Sequence, residues 1–186
     1  ETEEDPKELA DFYVKTAEFP AGFMTEYHPS MITRDTRHQA LATGFPVGKR
    51  FKSAPVMRVC DGNDVHLGHH ATADGRWRIY AFADAGAERL NDWAEWMLNA
   101  AASPVARFTP DGADLDSLFD IKVIYQQPHG EVEFGPSIPA LFQPRVGPFQ
   151  LTDYEKVYAI DPERDIFEAR GIDRNGAVIV VRPDHY

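Results

Sequence analysis

The sequence predicts an α/β domain in which a strand–helix–strand unit is completed by an antiparallel pair at the C-terminal end. The first observation is an apolar run at residues 77–83, then helically spaced apolar residues, then a second apolar run at 120–125. A right-handed crossover through a helix joins two such strands in parallel. The second observation is Asn175-Gly176, which stands between the apolar runs 166–172 and 177–184. Asn-Gly tolerates the positive φ of a tight primed turn, so it predicts a β-hairpin.

The chain should begin with an amphipathic helix. Asp5 can cap free N–H groups, and Pro6 fits the first helical position. Pro20 should interrupt the helix, and Pro29-Ser30 should close its continuation. The apolar residues of this helix form a stripe, which needs a surface to cover, either in this domain or in one that is absent. Its members at helical spacing are Leu9, Phe12, Tyr13, Thr16 and Ala17, followed by Phe19, Phe23 and Tyr27.

The next segments predict a loop and two short strands. Residues 31–52 lack periodicity and should form a crossing loop. Strands are expected at 54–60 and at 65–67, separated by a turn at 61–63.

A second amphipathic helix should follow the 77–83 strand and end at Ser103-Pro104. The stretch 126–150 contains five prolines and three glycines, so it should be irregular and could serve as a partner surface or lid. The apolar helix positions are Leu90, Trp93, Ala94, Met97, Leu98 and Ala101.

The last strand, at 177–182, is apolar at successive positions, which predicts cover on both faces of the sheet. Pro183 should end its ladder because it has no N–H to donate. A covering helix is expected beyond it, and the chain stops three residues later, which suggests a truncated domain. Strand, helix, strand and hairpin together give the order of a thioredoxin-like domain.

Composition narrows the function. The formal net charge of −11 argues against a nucleic-acid or anionic-membrane partner. The acidic start (Glu1, Glu3, Glu4, Asp5) should be a solvated end. With one cysteine, no apolar leader and no long apolar run, the expected location is the cytoplasm.

Thiol redox chemistry is not predicted, despite the thioredoxin-like order. That chemistry needs Cys-x-x-Cys at the start of the helix after the central strand, where the thiol pKa is lowered. The stretch 84–87 is Asp-Ala-Gly-Ala instead. The single Cys60 is expected to be a small buried residue.

Other catalytic interpretations are also weak. His66, His69 and His70 could bind a metal together with Asp64, but their spacing matches no tight site. Surface or interdomain hydrogen bonding is the preferred interpretation of these histidines. The serines lack a Gly-x-Ser-x-Gly context, which a hydrolase elbow requires. They are Ser30, Ser53, Ser103, Ser117 and Ser137.

Two further side-chain groups have structural interpretations. Asp114 and Asp116 should cap a helical turn before residues 118–119. Trp77 and Trp93 should supply core mass, and Trp96, at the edge of the helical stripe, is a candidate interface contact.

No dinucleotide site is predicted on this chain. Binding FAD or NADPH needs Gly-x-Gly-x-x-Gly between a strand and a helix, and the sequence has no such motif. No catalytic, cofactor-binding or metal-binding residue is therefore assigned.

Five segments resemble, in order, the C-terminal part of the phenol hydroxylase family of FAD-dependent aromatic monooxygenases. The C-terminal one is Tyr-Glu-Lys-Val-Tyr at 154–158, with Gly-Ile-Asp-Arg-Asn-Gly at 171–176 and Val-Arg-Pro-Asp at 181–184. The other four come earlier in the chain. They are Phe-Tyr-Val at 12–14 with Ala-Gly at 21–22; Tyr27 with Pro-Ser at 29–30; the segment 38–56; and the segment 74–84.

The resemblance implies a thioredoxin-like dimerisation domain at 36–186, preceded at 1–35 by the helical exit from a flavin-bearing domain. It implies a parent enzyme that uses FAD and NADPH to hydroxylate a phenolic ring, with cofactors and substrate bound upstream. The expected partners are the preceding FAD-binding domain and a second copy in a homodimer. The alternative is a free-standing, redox-inactive thioredoxin-like interaction module, with the 126–150 loop and the first helix as its partner surface.

Overall fold

The structure, a computed structural model, describes residues 6–33 and 35–186. Its main sheet has six strands in the order β2-β1-β7-β4-β3-β8, and β5 and β6 pair separately. The helices are α1 Pro6–Ala17, α2 Glu88–Asn99, α3 Pro104–Phe108 and α4 Ile166–Ala169, with 3-10 turns at Gln39–Leu41, His129–Glu131 and Ala140–Phe142. The strands are β1 Pro55–Arg58, β2 Asn63–His66, β3 Trp77–Phe82, β4 Phe119–Pro128, β5 Arg145–Val146, β6 Leu151–Thr152, β7 Val157–Ile160 and β8 Ala177–Val181.

The predicted strand–helix–strand unit is confirmed. Strands β3 and β4 are parallel, and α2 lies between them in the chain. Strand β7 also runs parallel to β4, whereas β8 is antiparallel to β3 and β1 is antiparallel to β7. The molecule is therefore a mixed α/β domain.

The predicted C-terminal hairpin is wrong. Residues Ile166–Ala169 form a helix, because the Asp165 side chain accepts a hydrogen bond from the Phe167 N–H and caps its start. Gly171, at φ +52°, reverses the chain after it. The Asn175-Gly176 turn does form, but it joins α4 to β8, and β8 pairs with β3.

Each face of the sheet has its own core. One face packs against α2 through Leu90, Ala94 and Met97. The other face carries Tyr80 and is covered in part by irregular chain, where Phe51 stacks on Tyr80 with ring centroids 4.7 Å apart.

Strand β8 is covered on one face only, contrary to expectation. Ala177 and Val181 are buried, whereas Val178 and Val180 on the α2 side are 43% and 55% exposed. Helix α2 covers the β3 side of this face and leaves the edge strand open. The strand ends at Val181, before Pro183, as predicted.

Helix α1 contacts no core. None of its residues is buried, and Phe12, Tyr13 and Val14 are all exposed. The helix ends before Pro20, as predicted. The predicted cap, Asp5, and the rest of the acidic start lie outside the described residues.

Two further predictions need adjustment. Ser103 was expected to end α2, but its side chain accepts a hydrogen bond from the Ala106 N–H and so caps the start of α3.

The 126–150 stretch is largely irregular, as expected, yet Leu141 and Phe142 within it are buried against the α2 side of the sheet. In the part of the chain that the structure describes, no helix combines the length and apolarity needed to cross a membrane.

Candidate functional site

A buried ionic network lies where the three parallel strands begin. Asp120 on β4 is its centre and is 2% exposed. Its carboxylate contacts the ammonium of Lys122 and lies 2.6 Å from Lys156 Nζ and 3.1 Å from Arg78 Nε. These groups come from β3, β4 and the residue before β7, so the network ties the parallel strands together.

Two further carboxylates, those of Asp116 and Asp74, pair with the cations around Asp120. Asp116 Oδ2 accepts from Lys156 Nζ at 2.8 Å and from Arg76 Nη1 at 3.0 Å. Asp74 Oδ1 accepts from Arg78 Nη2 at 2.8 Å. Each buried cation therefore faces at least one carboxylate.

The pKa values reflect this pairing. Burial alone would raise the pKa of Asp120, but Lys122 and Lys156 hold it at about 2. For Lys122, burial outweighs Asp120 and lowers the pKa to about 8. The neighbouring carboxylates raise the pKa of Lys156 despite its burial. With these pKa values Asp120, Lys122 and Lys156 are predominantly charged at neutral pH, and the paired groups link β3, β4 and the residue before β7.

The network was missed from the sequence. Its signal was charged residues at alternate positions of otherwise apolar strands, Asp120 and Lys122 on β4. Because side chains two apart on a strand share a face, these charges had to lie together inside the sheet. The helix-capping prediction for Asp114 and Asp116 is wrong, because the next element is β4 and not a helix. Asp116 accepts from Arg76 and Lys156, and Asp114 accepts from Gly147 and Gln150.

The histidine cluster is only partly brought together. The His66 and His69 rings stack with centroids 4.8 Å apart. Asp64 pairs with Arg164 at 2.5 Å. Within residues 6–33 and 35–186, no group of three or more His, Cys, Asp or Glu side chains is arranged to hold a metal.

Cys60 is exposed in the turn after β1, so the expected burial is wrong. Partial burial and nearby Asp61 raise the pKa of its thiol. A raised pKa leaves less thiolate at neutral pH, the opposite of what a peroxide-reducing cysteine needs.

Three apolar surfaces remain open. The first is the α1 stripe, continued by Phe19 and Met24. The second is a groove of about 760 Å³ between β8 and the segments 31–33 and 35–51. The third is on α2 and α3, where Trp96 is 46% exposed, as expected of an interface candidate, and Phe108 is also exposed. Phe149, in the turn between β5 and β6, is exposed as well.

Residues 25–186 match the family described as the phenol hydroxylase C-terminal dimerisation domain. The chain belongs to this family. The dimerisation domain so defined includes the sheet, the ionic network and the β5–β6 hairpin, but not α1.

Curated relatives of this dimerisation domain are monooxygenases. The chain is 47% identical over 98% of its length to a 3-hydroxybenzoate 4-monooxygenase of Comamonas testosteroni. It is 33% identical over 96% to an FAD-dependent monooxygenase of Aspergillus terreus, and 26% identical over 97% to a phenol 2-monooxygenase of Aspergillus fumigatus. It spans only 30%, 31% and 31% of these proteins, respectively.

Proposed function

We propose that this chain is the C-terminal dimerisation part of an FAD- and NADPH-dependent monooxygenase that hydroxylates a phenolic ring. The observation that carries the proposal is the 47% identity, across 98% of the chain, to a 3-hydroxybenzoate 4-monooxygenase. The chain corresponds to 30% of that protein. FAD, NADPH and the phenol would therefore bind in the preceding part of the polypeptide.

The role of this part is structural. Its buried ionic groups are enclosed and paired, and they link β3, β4 and β7. Such a network favours one strand arrangement, because a shifted register would leave charges buried without partners. A rigid sheet is what a dimerisation domain needs to hold two subunits in a fixed relation.

Residues 1–35 form the helical exit from the flavin-bearing domain, and α1 packs on that domain. The family match begins at residue 25, whereas similarity to the monooxygenase covers 98% of the chain. The segment around α1 is thus shared with the monooxygenase but lies outside the dimerisation domain. Its unburied apolar stripe supports packing on the preceding part of the protein.

Residues 36–186 form a thioredoxin-like domain without thiol chemistry. The parallel β3–β4 pair with its α2 crossover, extended by antiparallel β8, supports this interpretation. The chain positions 84–87 before α2 carry no cysteine.

The test is the oligomeric state and flavin binding of the purified chain. We expect sedimentation equilibrium to show a monomer–dimer equilibrium, and equilibrium dialysis to show no stoichiometric FAD binding. A monomer at every concentration would contradict the dimerisation role and favour a free-standing interaction module. Tight FAD binding would contradict the assignment of the cofactor to the preceding part.

A further inference from the structure

The β5–β6 hairpin projects from the irregular stretch before β7. Its two short strands pair Arg145 with Thr152 and Val146 with Leu151. The turn between them uses two positive-φ positions, Gly147 at +70° and Gln150 at +48°. A non-glycine residue in that conformation costs free energy, so the surroundings must hold the turn in place.

Asp114 holds the tip of this hairpin. Its Oδ2 accepts from the Gly147 N–H at 2.7 Å, and its Oδ1 accepts from Gln150 Nε2 at 3.2 Å. The Gln150 N–H also donates to the Gly147 carbonyl at 3.0 Å. The tip is therefore fixed against the loop after α3, although it is exposed to solvent.

The fixed tip presents apolar side chains to solvent. Phe149 is 83% exposed and Leu151 is 67% exposed. Two neighbouring exposed apolar side chains on a hairpin whose tip is held in place are suited to an interaction surface.

The family match indicates which partner covers this surface. The matched family is a dimerisation domain, so the partner is a second copy, and the match begins at residue 25, beyond α1. The groove along β8 is lined by Met31, Ile32 and Thr33, which follow α1 in the chain. That groove therefore lies beside the segment that leads to the preceding domain.

We propose that Phe149 and Leu151 of the hairpin form the surface on which a second copy of this chain packs. The proposal rests on the dimerisation role argued above. A two-fold axis through this surface would place the same residues of both copies in one contact, which closes the assembly at two subunits. Phe149, the more exposed of the two, would be the anchor.

The experiment measures the dimer dissociation constant of the 186-residue chain by sedimentation equilibrium. We expect Phe149→Ala with Leu151→Ala to raise this constant at least about tenfold, as truncation of a central aromatic anchor does. Asp114→Ala keeps both apolar side chains but releases the tip. It should weaken the dimer by a smaller factor, because the hairpin must then be ordered on binding. Phe19→Ala, on the α1 segment at 75% exposure, is the matched control and should leave the constant unchanged.

The outcomes separate this proposal from the dimerisation role itself. If the wild type dimerises and the Phe149/Leu151 variant dimerises equally well, the hairpin surface is wrong while the dimerisation role stands. If Phe19→Ala weakens the dimer as strongly as the hairpin variant, the contact is not specific to the hairpin and the proposal fails. If the wild type never dimerises, both proposals fail together.

Discussion

Asp120 is the residue on which the interior electrostatics depend, because three buried cations converge on its carboxylate. Replacing it by asparagine would leave those cations with less negative charge in a desolvated site. Breaking a buried ion pair from one side costs about 3–5 kcal/mol. We expect Asp120→Asn to lower the free energy of unfolding by about that amount.

Urea unfolding followed by circular dichroism checks this expectation. The matched control is Asp64→Asn, which removes a solvent-exposed partner of Arg164 and should leave the free energy of unfolding unchanged within error. Equal effects of the two variants would show that the ionic network contributes no more than a surface pair.

The same carboxylate predicts an acid-labile fold. The pKa of Asp120 is lowered to about 2 from an ordinary value of 3.8, so the unfolded chain binds its proton more readily than the folded chain does. The stabilisation is present above pH 4 and is lost as the pH falls through the folded pKa. For this shift it amounts to about 2 kcal/mol.

Urea midpoints measured at pH 7, 4 and 2.5 test that window. We expect little change between pH 7 and pH 4, then a steep fall, and a smaller fall in Asp120→Asn than in the wild type. A midpoint that declines equally in both proteins would assign acid lability to other carboxylates.

Among the elements, α4 and its connection to residues 42–45 depend on close backbone approach. The Gly44 N–H donates to the Arg170 carbonyl at 2.8 Å. A Cβ at Gly44 would lie 2.6 Å from Arg170 backbone atoms, which is too close for the two segments to keep their positions. We expect Gly44→Ala to cost about 1–3 kcal/mol, the usual range for forced overpacking.

Thermal unfolding of Gly44→Ala checks this, with Gly86→Ala as the control. The nearest atom to a Cβ at Gly86 is Glu88 Cγ at 3.8 Å, an ordinary contact. The control should therefore unfold at the wild-type temperature. If Gly44→Ala does the same, the approach of the two segments is looser than the structure shows.

Local sequence patterns predicted the helices and strands of this fold better than they predicted which strands pair with each other. The 77–83 run and the helical spacing after it identified β3 and α2 because both signals are periodic. The Asn175-Gly176 signal located a real turn, but a turn does not specify whether a helix or a strand precedes it. Pairing of β8 with β3 brings together residues about a hundred positions apart, which no local pattern encodes. The absence of a dinucleotide site, which the missing glycine motif predicts, stays a prediction.

At the scale of the whole molecule, α1 is an appendage of the described domain. It buries none of its residues, and the family match excludes it. Deleting residues 1–17 would retain Glu18, which pairs with Lys52 at 2.5 Å, and Gly22, whose carbonyl accepts from the Tyr186 hydroxyl. Since no core contact is lost, the free energy of unfolding should stay within about 1 kcal/mol of the wild-type value.

The deletion should also remove exposed apolar area, because Leu9, Phe12, Tyr13 and Val14 leave with the helix. We therefore expect weaker binding of an anilinonaphthalene dye and less aggregation at high concentration, with the dimer dissociation constant unchanged. This combination would support the proposal that α1 packs on the preceding part of the protein, because the helix then contributes neither to the core of this domain nor to its dimer. A loss of more than about 2 kcal/mol would mean that α1 packs on the domain itself. A weaker dimer would mean that the helix, rather than the β5–β6 hairpin alone, meets the second copy.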